Sequence, residues 1–324
     1  MGASPLAAGR SRRTLVRAAD ASGGAAPQEP AAPADPTAWL APVCSFLSVA
    51  SAAKAAAGAL APSYLLAQFF KPCCASAPEL VALCGVVTAP AWLVAGWLRA
   101  LQEAKVHNRL GSDTYKRLAL GLLYAAVLAL VVNLRFIAML GAALVGWSFI
   151  SLGATAYLSS RLYEAGSGGR SPLADRVEIV KSAFSNVASC LTLPKSLYGA
   201  YYSLVAVSSL GLFLWLFPVN ATPLFPAGLA PLGQYLTQIS AVGAVLQGIT
   251  AFTLKDAADR GRLGASTFRL LNLALAATVA QQCWFFYSLG SSGVELARPL
   301  WQGILAQGLA TVAVCDLAWL TAKK

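Results

Sequence analysis

The side chains best suited to do chemistry in this chain are amides. Gln234, Gln238, Gln247, Asn272, Gln281, Gln282, Gln302 and Gln307 all lie in apolar stretches of the final third of the sequence. Polar groups in such surroundings are functional candidates, and an amide both donates and accepts hydrogen bonds. A cluster of them suits a neutral, hydroxyl-bearing ligand. Trp284, Tyr287 and Trp301 supply flat faces on which the C–H surfaces of such a ligand can stack. The substrate-binding set read from the sequence is therefore Gln247, Asn272, Trp284, Tyr287 and Gln302. Asp316 is the only carboxylate well inside an apolar stretch, which makes it the candidate for coupling movement of a solute to a proton or ion. Each residue also has a structural reading: amides join helices, aromatic residues form interfacial belts, and Asp316 sits one or two turns from a helix end where it can reach water.

Other chemistries lack their residues. His107 is the sole histidine, and Cys44, Cys73, Cys74, Cys84, Cys190, Cys283 and Cys315 show no metal-ligand spacing. No metal or other cofactor is expected, although a disulfide from Cys73 or Cys74 to a distant cysteine is a minor alternative. No paired acids, nucleophile–base set or histidine cluster stands out, so an enzyme is not expected.

The elements that carry these residues are hydrophobic. Hydrophobic residues make up 57% of the 324 and charged ones only 11%, against roughly 25% charged in a soluble domain. Spans are predicted near Leu80–Leu98, Leu118–Leu134, Phe136–Leu158, Leu197–Phe217, Leu232–Leu254, Phe268–Leu289 and Leu300–Leu320, each long enough to cross a bilayer core of ~30 Å as a helix. The stretch Val43–Phe70 carries Lys54 and Pro62 and either spans as an eighth or lies along the interface. The fold class is thus an all-α polytopic integral membrane protein of seven helices, or eight. Its expected partners are membrane lipids and a small neutral solute, and a homo-oligomer is compatible with this class.

The net charge of +11 is spread between the apolar segments instead of forming one stripe, so nucleic acid is not an expected partner. Basic residues gather in alternate loops: Lys105, Arg109, Lys116 and Arg117, then Arg161, Arg170, Arg176, Lys181 and Lys195, then Lys255, Arg260 and Arg262, with Lys323 and Lys324 at the end. The loops between them, 71–79, 218–231 and 290–298, are nearly uncharged, and the positive-inside rule gives one orientation. Residues 101–116 also match residues 254–269 without a gap. Leu101, Ala104, Arg109, Leu110, Gly111 and Thr114 recur as Leu254, Ala257, Arg262, Leu263, Gly264 and Thr267. That pattern predicts two parallel three-helix repeats, 80–160 and 232–324, joined by a basic loop and linker helix over 161–231. Gly111 and Gly264 are expected to end a helix in left-handed conformation, and Thr114 and Thr267 to cap the next.

Residues 1–19 hold four arginines and no acid, the composition of an organelle transit peptide, and residues 20–38 form a proline- and alanine-rich linker. Residues 39–79 hold the interfacial or additional helix. The expected location is a chloroplast membrane, inner envelope or thylakoid. With three helices, one helix and three helices, the plan resembles the SWEET and PQ-loop transporters. Leu246-Gln247 stands where their Pro-Gln dipeptide falls, Ser266-Thr267 follows the basic loop, and Trp284-Phe285-Phe286-Tyr287 with Gly290 resembles their Trp-x-x-Tyr-Gly helix end. Plastid maltose exporters share the apolar-then-basic course of Leu83–Lys105. The resemblance implies alternating access by two repeats around a site for a sugar or other neutral solute. The contrasting expectation is a non-transporting chloroplast membrane scaffold or assembly factor.

Overall fold

The computed structural model describes residues 35–70, 77–168, 174, 176–178, 181, 194–217 and 224–321. The residues of the expected transit peptide, together with Cys73, Cys74, Cys190 and most of the long basic loop, lie outside that range. The compact unit begins at Thr37. Among the described residues every regular element is helical: α1 Leu40–Leu60, α2 Pro62–Phe69, α3 Pro78–Thr88, α4 Ala91–Val106, α5 Asp113–Arg135, α6 Ala142–Ser167, α7 Leu197–Leu216, α8 Pro231–Asp259, α9 Ser266–Ser291 and α10 Arg298–Thr321.

Local sequence sets these boundaries. Pro62, Pro78 and Pro231 stand in the first turns of α2, α3 and α8, where the missing N–H costs nothing. Ser196 caps α7 by accepting from Gly199 N at 2.9 Å. Helices α4 and α8 end in the same way. Asn108 (φ 53°) and Gly261 (φ 65°) take the left-handed conformation. Arg109 N then donates to Ala104 O at 2.7 Å, and Arg262 N to Ala257 O at 2.8 Å, the six-to-one bond of a Schellman motif.

These findings correct two expectations about the basic turns. The left-handed residues lie three positions before Gly111 and Gly264, because the helices run past the predicted apolar spans to Val106 and Asp259 but stop short of those glycines. Thr114 and Thr267 sit inside the first turns of α5 and α9, after Ser112 and Ala265, and no side chain caps either helix. Thr267 instead pairs with the Tyr115 hydroxyl at 3.0 Å, joining the two turns.

Among the described residues six stretches are long and apolar enough to cross a membrane: Leu40–Leu60, Pro78–Val106, Asp113–Arg135, Leu197–Leu216, Pro231–Asp259 and Arg298–Thr321. The uncertain segment near residues 43–70 thus resolves into a span-length α1 followed by the short α2. Helices α6 and α9 are 26 residues each and fall outside the six; Asn272, Gln281 and Gln282 dilute the apolar character of α9. The chain surfaces after Arg135, turns through a 3₁₀ segment at Ile137–Met139, and starts α6 six residues later than the expected span.

Burial separates centre from periphery. The most apolar windows of Pro78–Val106 and Pro231–Asp259 are 72% buried, whereas those of Leu40–Leu60 and Arg298–Thr321 are 17% and 22% buried. Helices α3, α4, α5, α8 and α9 therefore form the core. Helix α1 packs on α4, α6 on α5, α7 on α8 and α10 on α9. Across the middle, α5 packs on α8 and α4 on α9, with α3 against both α8 and α9. Glycines permit the closest approaches: a Cβ at Gly243 would run into the Pro90 ring, one at Gly96 into Ala274, and one at Gly85 into Phe285.

The two ends of the bundle differ in charge. The α4–α5 and α8–α9 turns meet through Tyr115 and Thr267, Lys105 Nζ donates to Thr37 Oγ1 just before α1, and the Tyr198 and Thr321 hydroxyls pair at 2.9 Å. That end gathers Lys105, Arg109, Lys116, Arg117, Lys255, Arg260, Arg262 and Arg269. Exposed Trp39 and Trp319 mark it, and exposed Trp147, Trp284 and Tyr287 mark the other end. Two aromatic belts around an apolar middle are the pattern of a bilayer-spanning bundle.

Candidate functional site

The intramembrane amides divide into two groups once their partners are known. Gln281 is structural. Its Nε2 donates to Gly85 O at 2.9 Å and Thr88 Oγ1 at 3.1 Å, and its Oε1 accepts from Trp92 Nε1 at 2.9 Å. One side chain thereby ties α9 to α3 and α4. Asn272 is fully buried, accepts from the Tyr202 hydroxyl at 2.5 Å, and its Nδ2 has no partner. Gln238 is held near Arg135 at 3.4 Å, and Gln234 turns back to Leu229 O at 3.2 Å.

Gln247, Gln282 and Gln307 line a cavity of about 230 Å³. It lies among α7, α8, α9 and α10, with Leu83 and Val86 of α3 contributing, instead of between the two halves of the chain. Gln247 Nε2 donates to Gln282 Oε1 at 2.8 Å, and Gln307 Nε2 donates to Ser208 Oγ. Gln247 Oε1 and Gln282 Nε2 have no protein partner among the described residues.

The hydroxyls around the amides are directed by their own helices. Ser208, Thr237, Ser240 and Thr311 donate to Val205, Gly233, Leu236 and Gln307 carbonyls at 3.1, 2.8, 2.9 and 2.8 Å. Back-bonding of this kind uses the hydroxyl proton and leaves the oxygen lone pairs as acceptors. Toward the basic end the cavity closes on a polar layer, where the Tyr201 hydroxyl meets Thr311 Oγ1 at 3.0 Å and Gln307 O at 3.2 Å. Among the described residues no acid, lysine, arginine or histidine lines the space, so the lining offers hydrogen-bond donors and acceptors without a charged group.

Only Gln247 of the five predicted binding residues lines this cavity. Asn272 lies in the packed layer below it. Trp284 and Tyr287 are 63% and 59% exposed on the outer face of α9, and Gln302 is exposed on α10, so these five residues do not converge. Asp316 is also exposed, on the outer side of α10. The lining hydroxyls Ser208, Ser209, Thr237, Ser240 and Thr311 escaped sequence reasoning, since serine and threonine are common in membrane helices and carry no motif. Their one signal is spacing: Ser208 with Leu212 and Trp215, and Ile304 with Gly308 and Thr311, recur at helical intervals on one face.

A second polar cluster occupies the basic end. Asp256 sits 3.0 Å from Arg260 and 3.9 Å from Arg117, whose guanidinium stacks 4.7 Å over Phe252, and Lys255 pairs with Asp259 at 3.1 Å. Arg117 holds the α8 end against α5, and the other two pairs lie within the α8 end itself. Among the described residues no three histidine, cysteine or acidic side chains group as a metal site. No known protein family and no curated protein matches this chain.

Proposed function

We propose that the chain is a multi-pass membrane carrier for a small neutral solute, with its binding chamber inside the bundle of α7–α10. The observation that carries this reading is the uncharged cavity, whose inner walls are amides and hydroxyls with unused hydrogen-bonding capacity. The space of about 230 Å³ is sized for a small solute.

Several landmarks of the two halves fall at matching places, which supports a duplicated unit of four spans, with α3 and α4 together answering to α8, instead of three plus a linker. The starts of α3 and α8, the left-handed residues Asn108 and Gly261, and the starts of α5 and α9 all fall at one constant spacing. The former linker helix α7 packs on α8 as α1 packs on α4. Two such units have the same orientation, related by an axis along the membrane normal. The positions in the first half at the same spacing from Gln247, Gln282 and Gln307 are Val94, Ala129 and Ala154, so the first unit lacks these amides. Since α4, α5, α8 and α9 are tightly packed, the moving parts in this account are the peripheral α7 and α10, which meet mainly through the Tyr201, Ser208, Gln307 and Thr311 contacts. The basic end faces the stroma if the arginine-rich N-terminus directs import into plastids.

Uptake by proteoliposomes of glycerol, xylitol, glucose and maltose tests the reading. Saturable uptake of the monosaccharide-sized members is expected, and absence of uptake by folded protein for all of them would contradict it. The dense packing between the halves favours one other reading, a non-transporting scaffold of the chloroplast membrane, and that null result would support it.

A further inference from the structure

The chamber has a polarity gradient along its length. Leu216 and Leu300 line it near the uncharged end of the bundle, and Val205 and Thr311 line it at the inner end. On both α7 and α10 these positions are 11 residues apart, a depth of about 16 Å at 1.5 Å per residue. The outer half is mostly hydrocarbon and rings, with Leu212, Trp215, Phe225, Phe286, Leu300 and Ile304 beside the hydroxyl of Thr237. The inner half holds Ser208, Ser240, Gln247, Gln282, Gln307 and Thr311. Polar capacity is therefore concentrated at one end, near the middle of the bundle.

A compact polyol carries hydroxyls all round. Seated here, it leaves those facing the outer half without partners, so it binds less tightly than a solute that matches both halves. A molecule with one hydrogen-bonding head and one hydrocarbon tail matches both halves. We propose, on the basis of the carrier reading above, that the chamber takes a neutral amphiphile. Its head lies inward against Gln247, Gln282 and Gln307, and its tail lies along Leu212, Trp215 and Ile304. The unpaired Gln247 Oε1 accepts from the head and Gln282 Nε2 donates to it. With no charged group in the lining, phosphorylated and ammonium-bearing heads are excluded, because a charge buried without a partner is strongly disfavoured.

The test uses the full chain in lipid nanodiscs and a hexyl glucoside carrying a diazirine near the end of its tail, below its micellar concentration. Photolysis followed by peptide mapping is expected to mark the α7 segment around Leu212–Leu216 and the α10 segment around Leu300–Ile304. Unlabelled hexyl glucoside should compete at least about tenfold better than either glucose or hexanol, since each of those satisfies only one half of the chamber. Gln247→Leu should bring hexyl glucoside and hexanol to equal potency, and Thr311→Val serves as a second variant if the first folds poorly. Glucose competing as well as hexyl glucoside, or labelling spread evenly over lipid-facing surfaces, would overturn the proposal. Solute flux without this competition order would retain the carrier and remove the amphiphile. The competition order without flux would do the reverse.

Discussion

Trp97 Nε1 donates a 2.9 Å hydrogen bond to Thr250 Oγ1, and the two residues are 153 apart, the same interval that separates residues 101–116 from the matching 254–269. Pro90 and Gly243, separated by the same interval, also touch. Equivalent residues can meet only near a two-fold axis, where the same patch of each unit faces itself. Under the proposed duplication, the contact between α4 and α8 lies on the axis that relates the two units. Thr250→Val should destabilise the bundle by about 1 kcal/mol, because the buried indole N–H loses its acceptor. Trp97→Ala should cost about 3–5 kcal/mol through lost volume. Unfolding in mixed micelles reads both, and equal effects of the two changes would contradict this packing role for Trp97.

Gly243 provides a sharper test of the axis. A side chain at that position collides with the Pro90 ring, and overpacking of a filled interior typically costs about 1–3 kcal/mol. Gly243→Ala is expected to lower thermal stability. Adding Pro90→Ala should recover part of the loss, since the clashing ring carbons are then gone. If the two changes add without recovery, the contact does not govern the crossing.

Neighbouring glutamines should behave differently. Gln281→Leu leaves Trp92 Nε1 without an acceptor and removes the amide donor to Gly85 O, which keeps the Thr88 hydroxyl, and should destabilise by about 2–3 kcal/mol. Gln282→Leu should alter stability by less than about 1 kcal/mol, because its side chain borders open space. Its effect should fall on ligand affinity instead. Stability and uptake measured on both variants separate a joining residue from a lining one.

Trp284 and Tyr287 test immersion of the helices in lipid. Both project from α9 on the exposed stripe that also carries Leu273. Lipids brominated along the acyl chain should quench Trp284 fluorescence, whereas fully buried Trp97 should be shielded from them. Alanine at Trp284 should leave uptake within about twofold, a change of less than ~0.5 kcal/mol. A large loss of uptake would return this residue to the binding site.

Much of the bundle was legible from composition. Long apolar stretches, the alternation of basic and uncharged loops, and the return of the chain at Asn133–Arg135 all follow from what a bilayer permits. The recurrence of residues 101–116 marked the two turns, and the two C-terminal caps fall at matching places, although at Asn108 and Gly261. The site was far less legible. Gln281 and Gln282 are adjacent amides with opposite roles, and only the rotation of α9 decides which one meets α3 and which meets open space. Trp284 has the residue type of a sugar platform, yet helical phase turns it outward. Asparagine at 272 looked available for a ligand, but Tyr202, distant in sequence, covers it. These outcomes depend on helix rotation and on partners far along the chain, which spacing within one helix does not encode.

The central claim is that a neutral solute enters the chamber of the second unit. Counterflow of radiolabelled glucose and xylitol in proteoliposomes tests it most directly, comparing the native chain with Gln247→Leu and with the equivalent first-unit change Val94→Leu. The account predicts saturable counterflow that falls about tenfold or more in Gln247→Leu, in line with the loss of one buried hydrogen-bonding partner, and stays within about twofold in Val94→Leu. Counterflow no greater than in protein-free vesicles, or equal loss in both variants, would contradict it.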